Sequence, residues 1–494
     1  MKADRRTIWN GFAGLVLMAV ALLWFSGLAF GAQLPGGRNG TADTLAVAPV
    51  AAAEPEAERL RERLRQLEQA MIELKQQLDA MEKARGPAGA GAGPADIPKI
   101  TMKPAGDAGS WTGGAQSRKM ESTFQIYGHT MLDSGYQFNT NDPNWFDVAR
   151  PTKLPAFDGQ FAPDGKTFFG VRQTRLGVKS STPTSVGDLR TQFEFELFGV
   201  GVDAGQTTFR LRHAYGELGH FGAGQTWSPF MDPDIFPNSI EYWGPNGMVF
   251  FRNVQFRWMP LKGDNSVTLA LERPGATGDQ GVLTDRVELQ GIRPKLDLPD
   301  LSGNVRLTRG WGHLQMAGML RRIRWVDTTD DQLDLGGRAM GWGVNLSSNL
   351  NLGKKDLARL QVVYGEGIEN YLNDAPADVG IKRSNSSDPR RPIKGAALPA
   401  LGIVSFLDHN WNQHFSSTIG YSLVNITNSE GQAANAFHRG QYALTNLLFY
   451  PIENVMLGGE FQWIRRDNFR DGFAVNDYRI QFSFKYNFSK GFSF

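Results

Sequence analysis

The sequence predicts an all-β transmembrane barrel of about sixteen antiparallel strands, preceded by a short N-terminal α-helical coiled coil. Three observations carry that prediction. Tyr478, Ile480, Phe482, Phe484, Tyr486 and Phe488 alternate with Arg479, Gln481, Ser483, Lys485 and Asn487. That segment has one apolar and one polar face, at the length of about 9–11 residues that a tilted strand needs to cross a bilayer. The same alternation recurs from about residue 121 to the end. Finally, tight connections at Thr182–Gly187 and Gly353–Asp356 contrast with long polar ones at 136–168, 272–293 and 366–398, which is the asymmetry of an outer-membrane barrel. One such strand alone would better suit a soluble antiparallel sheet; repetition decides.

Composition narrows the classes. The chain has 494 residues, with Lys+Arg 52 against Asp+Glu 50, a net charge of +2. Bulk charge therefore points to no nucleic-acid partner. There is no cysteine, which excludes a disulfide framework, a thiolate metal site and a thiol nucleophile. Gly 57 and Phe 32 are high for a soluble enzyme. The negative mean hydropathy argues against a helical membrane bundle, whereas a barrel hides its membrane signal in alternation.

Residues 1–31 read as a signal peptide: Lys2, Arg5 and Arg6, then a mostly apolar Gly11 to Phe30, then Ala29-Phe30-Gly31 before Ala32. An uncleaved anchor is the alternative. Residues 32–53 are a Gly/Ala/Pro-rich flexible linker. Over 54–85, Leu60, Leu64, Leu67, Met71, Leu74, Leu78 and Met81 form an a/d heptad seam that Ala57 extends. Arg63 at g can meet Glu68 at e on a neighbouring helix, as Gln77 can meet Glu82. A single amphipathic helix packed on its own domain is the plain alternative; the clean 3.5 repeat favours self-association, with two or three strands left open. Residues 86–120 form a second Gly/Pro/Ala-rich linker; its glycine run from Gly86 lacks the flanking strand and helix of a phosphate loop.

The barrel is expected over 121–494. Strand patterns centre on 124–133, 171–180, Leu189–Leu197, Phe209–Tyr215, 252–259, Val267–Leu271, 303–309, 313–323, Trp342–Leu350, 357–365, 400–408, Phe415–Leu423, 440–450, Val455–Trp463 and Tyr478–Phe488. These are about fifteen, and single-chain bacterial barrels have even numbers, so a sixteenth is expected. Tyr450, Trp463, Tyr478 and Phe488 lie near strand ends, where interfacial aromatic girdles sit.

If the apolar face meets lipid, parity sends the other face to the lumen, since an arginine on the lipid face costs about 2–4 kcal/mol at the midplane. The lumen then receives Arg175, Lys179, Arg190, Arg210, Arg212, Arg257, Arg306, Arg359 and Arg479, with Glu194, Glu196 and Glu460. Arg175, Arg190 and Arg210 fall on consecutive strands and make one basic wall. Arg172 and Arg252 share parity with apolar neighbours and are expected at a rim or in a loop, and Tyr215 is expected on the lipid side with Phe209 and Leu211. One connection, about 226–250, carries Pro229, Pro233, Pro237 and Pro245, which exclude regular structure. It also carries Trp227, Phe230, Met231, Phe236, Tyr242 and Trp243, too apolar for a solvated loop. It is expected to fold inward, with Asp232, Asp234 and Glu241 facing the arginine wall and setting a transverse field. Mutual pairing of the same charges is the alternative, compatible with the first.

The chain resembles the DcaP-type trimeric outer-membrane porins. The likeness rests on the signal–heptad–linker–barrel order, Gly224-Gln-Thr-Trp-Ser228, Gly244-Pro-Asn-Gly247, Trp311-Gly-His-Leu-Gln315, Gly365-Glu-Gly367 with Tyr371, and Tyr486-Asn-Phe488. It covers nearly the whole mature chain. The resemblance implies a homotrimer of sixteen-stranded barrels in the bacterial outer membrane, a periplasmic coiled coil, and a basic pore for small anions such as dicarboxylates. Assembly machinery would read the C-terminal strand, although the chain continues six residues past Phe488, with Phe492 and Phe494 keeping parity.

No enzyme signature, cofactor motif or metal motif stands out. His409 and His414 face opposite sides of a strand, and Asp232-Pro-Asp234 lacks the glycine and downstream glutamate of a calcium loop. The expected function is a porin for passive diffusion of small hydrophilic, preferably anionic solutes. The alternatives are a closed barrel anchoring the coiled coil to the envelope, and a soluble secreted β-rich protein.

Overall fold

The computed structural model describes residues 121–277 and 291–493. The expected signal peptide, both linkers and the heptad seam Leu60–Met81 lie outside the described residues. The elements are β1 (Thr123–Gln137), β2 (Lys166–Gly170), β3 (Arg175–Thr184), β4 (Gly187–Phe198), β5 (Thr207–Leu218), β6 (Phe221–Trp227), β7 (Arg252–Leu261), β8 (Asn265–Glu272), β9 (Ile292–Pro294), β10 (Asp300–Arg309) and β11 (Gly312–Asp327). They continue with β12 (Gly337–Asn351), β13 (Asp356–Glu366), β14 (Val379–Arg383), β15 (Ile393–Ala397), β16 (Pro399–Asn410), β17 (Phe415–Ile426), β18 (Phe437–Phe449), β19 (Val455–Asn468) and β20 (Ala474–Ser493).

All but β14 and β15 join one antiparallel sheet, and β20 pairs back on β1 from Thr123↔Ser493 to Gln137↔Arg479, closing the barrel. The wall has sixteen spans. β2 and β3 are two halves of one, both lying along β1, and β9 only extends the wall beside the end of β11. The sixteenth span is β6, hidden in the sequence because it reads Phe-Gly-Ala-Gly-Gln-Thr-Trp. Gly224 has φ 117 there, and a Cβ would collide with the Ala214 carbonyl, so alternation is lost where glycine is required. Trp227 accordingly ends a strand rather than starting the loop.

Successive connections alternate between the two ends of the barrel, and all the long ones lie at one end. Turns such as 185–186, 219–220 and 352–355 lie at the end holding Thr123 and Ser493; connections 138–165, 228–251, 273–299 and 367–398 lie at the other. Short turns face the periplasm in such barrels and long loops the exterior. β14 and β15 form a hairpin inside 367–398. β20 runs on past its last β19 partner, Tyr486, with its tail paired to β1 alone.

The two faces of the wall differ as the alternation predicts. Leu314, Met316 and Leu320 on β11 are exposed, while His313, Gln315, Ala317 and Met319 are buried. The main hydrophobic cluster is therefore inside the barrel, where Phe230, Met231, Ile235, Met248 and Val249 of loop 228–251 pack on inward residues such as Met319, Val363, Val404, Phe406, Val424 and Tyr442. One parity reading fails. A register shift between Glu194 and Phe195 opposite β5 lets both Arg212 and His213 be buried, so Tyr215 turns inward and hydrogen-bonds Glu217 at 3.2 Å.

Candidate functional site

Loop 228–251 has four prolines and little internal backbone pairing, so its carbonyls need partners elsewhere. Inward amides on successive strands supply them. Asn304 donates to the Pro229 carbonyl (2.8 Å), Gln315 to that of Met231 (3.0 Å), Asn345 to that of Phe230 (2.8 Å) and Asn349 to that of Asp234 (2.7 Å). Gln361 donates to the Gly247 carbonyl (3.0 Å) and Asn446 to that of Asn238 (2.9 Å). Glu460 accepts from the amides of Ile240 (3.0 Å) and Glu241 (3.3 Å). At Gly247 a Cβ would meet the Leu423 carbonyl, so only glycine lets the loop lie this close to the wall.

The loop's acids belong to this seat. Asp232 is fully buried and accepts from His313 Nε2 (2.7 Å), Ser347 Oγ (2.7 Å) and Arg306 (3.2 Å). Burial pushes its carboxyl up, but the His313 hydrogen bond and the His313 and Arg306 charges outweigh that and hold it below the usual range. Asp234 pairs with Arg306, and Arg359 donates to the Asp234 carbonyl and to Asp408 (Nε, 2.5 Å). Arg306 and Arg359, inward as parity has them, thus clamp the loop. Asp232, Asp234 and His313 are close enough to hold a metal ion, yet the Arg306 guanidinium already occupies the carboxylates. Glu241 accepts from the amides of Ala149 (2.9 Å), Trp243 (3.1 Å) and Gly244 (2.5 Å). Burial pushes its carboxyl up to about 7, offset in part by Arg479 and those amides.

The opposite wall has a different balance. Arg212 lies between Glu194 and Glu196, at 2.6 Å from each. Arg175 reaches the same two carboxylates at 3.7 and 3.5 Å, and Arg210 reaches Glu196 at 3.5 Å. Arg252, at the rim of β7, turns in to join them, 3.8 Å from Glu196 and 4.8 Å over the Trp227 ring. Four guanidiniums therefore surround two carboxylates. The side chains of Arg175 and Arg210 remain 25% exposed, while Arg212 is 5% exposed. Tyr242 of the loop reaches this wall, stacking on Phe198 at 4.1 Å and donating to Glu196.

The remaining predicted residues scatter. Lys179 lies over the Tyr127 ring at 4.8 Å. Arg190 and Arg257 line a cavity of about 520 Å³ near the short turns, with Asp188, Glu217, His220 and Lys262. Arg479 is buried over the Phe168 ring at 4.0 Å. Arg172, in the break between β2 and β3, pairs with Asp147 at 2.5 Å and lies 3.8 Å over Phe198. Sequence reasoning missed Arg321, which shares the inward parity of His313. It joins Asp300 (3.0 Å) and Asp378 (2.8 Å) and so ties β11 to loop 367–398. It also missed Arg150, held between the rings of Trp145 (4.2 Å) and Trp243 (4.0 Å) and bound to Asp374.

A closed sixteen-span barrel with short turns, long loops and a loop seated inside is the architecture of an outer-membrane porin. The DcaP outer membrane protein family matches residues 66–488, and the chain belongs to that family. No curated protein matches the sequence. Among solved structures, the outer membrane channel DcaP of Acinetobacter baumannii is similar at 21% identity, covering 74% of this chain and 97% of that one, with a TM-score of 0.61. An anion-selective porin from Comamonas acidovorans is similar at 11% identity over 74% and 100% of the two chains, TM-score 0.48. OmpT of Vibrio cholerae is similar at 12% identity over 74% and 98%, TM-score 0.44. The family and these neighbours are porins and channels, not enzymes.

Proposed function

We propose that the barrel is a passive channel preferring small hydrophilic anions, with dicarboxylates as the fitting solute class. The observation that carries this reading is the surplus of guanidinium on the β3–β5 and β7 wall: Arg175, Arg210, Arg212 and Arg252 against Glu194 and Glu196. Arg212 neutralises much of the carboxylate charge from within, and the partly exposed Arg175 and Arg210 lower the barrier for an anion in the water-filled lumen. Loop 228–251 sets the bore. Solute binding stays weak enough for release, as conduction requires. In the same reading residues 1–31 direct export, residues 54–85 associate as a periplasmic coiled coil, three barrels assemble in outer-membrane lipid, and assembly machinery reads the C-terminal strand.

Planar-bilayer recording of the purified protein in a salt gradient tests it. Triplet conductance steps with a reversal potential on the anion side are expected. Cation preference would overturn the basic-wall reading, and silence from a correctly folded barrel would favour the closed anchor.

A further inference from the structure

The outward face of β11 and β12 changes character near the long-loop end. On β11 the exposed residues run Leu314, Met316, Leu320; on β12 they run Met340, Trp342, Val344, Leu346. Trp342 meets Tyr364 of β13 with ring centroids 5.9 Å apart, an aromatic pair of the kind that marks a membrane interface. The next outward position toward the loops is Arg322 on β11 and Met340 on β12, and the one after it is an arginine on both strands. Register sets Leu320 opposite Trp342, Arg322 opposite Met340, and Arg324 opposite Arg338. The Arg324–Arg338 row is therefore four residues, about 13 Å of strand, beyond the aromatic row.

β9 adds to the patch. Arg293 lies opposite Val326, and the Lys295 amide donates to the Arg324 carbonyl at 2.9 Å. Among the described residues Asp297 serves both Arg324 (2.9 Å) and Arg322 (3.7 Å). Like charges directly opposite on neighbouring strands are destabilising, and Asp297 reaches only the Arg324 side of the Arg324–Arg338 pair, so the Arg338 side favours a further anion. An arginine outside the hydrocarbon costs only about 0–1 kcal/mol on a barrel's outer face. At this level the outer leaflet carries the phosphates of its lipids. Guanidinium binds phosphate in a planar, two-pronged way, and exposed Met316 and Leu320 below would receive acyl chains.

We propose that Arg322, Arg324 and Arg338, with Arg293 and Lys295 beside them, form a binding site for the phosphorylated glycolipid of the outer leaflet. The site lies on the barrel's outer surface and is independent of the solute path.

The test uses the full chain in detergent, titrated by native mass spectrometry with bisphosphorylated lipid A, dephosphorylated lipid A and inorganic phosphate. Wild type is expected to bind the first, weakly bind the second, and ignore the third at equal concentration. Near an anionic surface each arginine contributes about fivefold in affinity. Arg338→Gln should therefore lose about fivefold, and the triple variant Arg322→Gln/Arg324→Gln/Arg338→Gln on the order of a hundredfold. Unchanged conductance and resistance to SDS would show that the barrel is intact. Arg338 lies outside the Asp297 ion pairs, so the single variant reads binding even if the triple variant folds poorly. Equal lipid A affinity in the variants, indifference to dephosphorylation, or equal competition by inorganic phosphate would each overturn the proposal.

Discussion

Two clusters inside this barrel join arginines to carboxylates and do different work. In the loop seat, Arg306 and Arg359 meet Asp232, Asp234 and Asp408, with His313 and Ser347 completing the shell around Asp232. Three carboxylates face two guanidiniums there, and several of the bonds run to loop backbone. On the β3–β5 and β7 wall, four arginines meet two glutamates, and two of the four keep a quarter of their side chain exposed. The difference is the sign of the excess and what the bonds reach. Carboxylates outnumber guanidiniums in the seat, whose arginine and amides also hold loop carbonyls, whereas guanidiniums outnumber carboxylates on the wall.

Substitutions can break this contrast. Arg212→Ala should have the largest effect, because it strips two buried carboxylates of their closest guanidinium; losing one side of a buried pair costs about 3–5 kcal/mol. The temperature at which the folded band disappears in SDS should fall sharply. Glu241→Gln probes the seat through pH. Burial pushes its folded carboxyl up to about 7 against an ordinary 4.5, so the folded state binds the extra proton between those values. The seat's stability is then full below about 4.5 and lost as pH rises through 7, by roughly 3 kcal/mol. The variant should flatten the melting profile over that window and surpass wild type at pH 8. Asp232→Ala removes charge-assisted bonds worth about 1.5–3 kcal/mol each from the loop alone. Its barrel should stay resistant to SDS while single-channel conductance rises and becomes noisier.

Much of the wall was legible because burial on one face forces period two. Tyr478–Phe488 and Trp342–Leu350 needed nothing else. β6 was lost because Gly222 and Gly224 carry no side chain to alternate, and Tyr215 was misassigned because a bulge adds a residue that parity cannot see. Arg252 shows the same limit: its parity points outward, yet as the first residue of β7 it swings to Glu196. The inward position of Arg306 and Arg359 was readable, but not what they hold. Asp232 finds its partners 74 to 115 residues away, a matter of register across strands that no local pattern encodes. Nor does parity separate Arg321, enclosed by Asp300 and Asp378, from Arg175, open to the lumen.

The smallest effect on stability and the most direct test of the account come from the same variant. Arg175 and Arg210 lie 3.5 to 3.7 Å from carboxylates that Arg212 holds at 2.6 Å, so Arg175→Gln/Arg210→Gln should melt closer to wild type than Arg212→Ala does. Its reversal potential in a salt gradient is the deciding measurement. The account predicts a wild-type potential on the anion side that moves toward zero in the double variant at unchanged SDS resistance. An unmoved potential would mean that the exposed guanidiniums of this wall do not set selectivity.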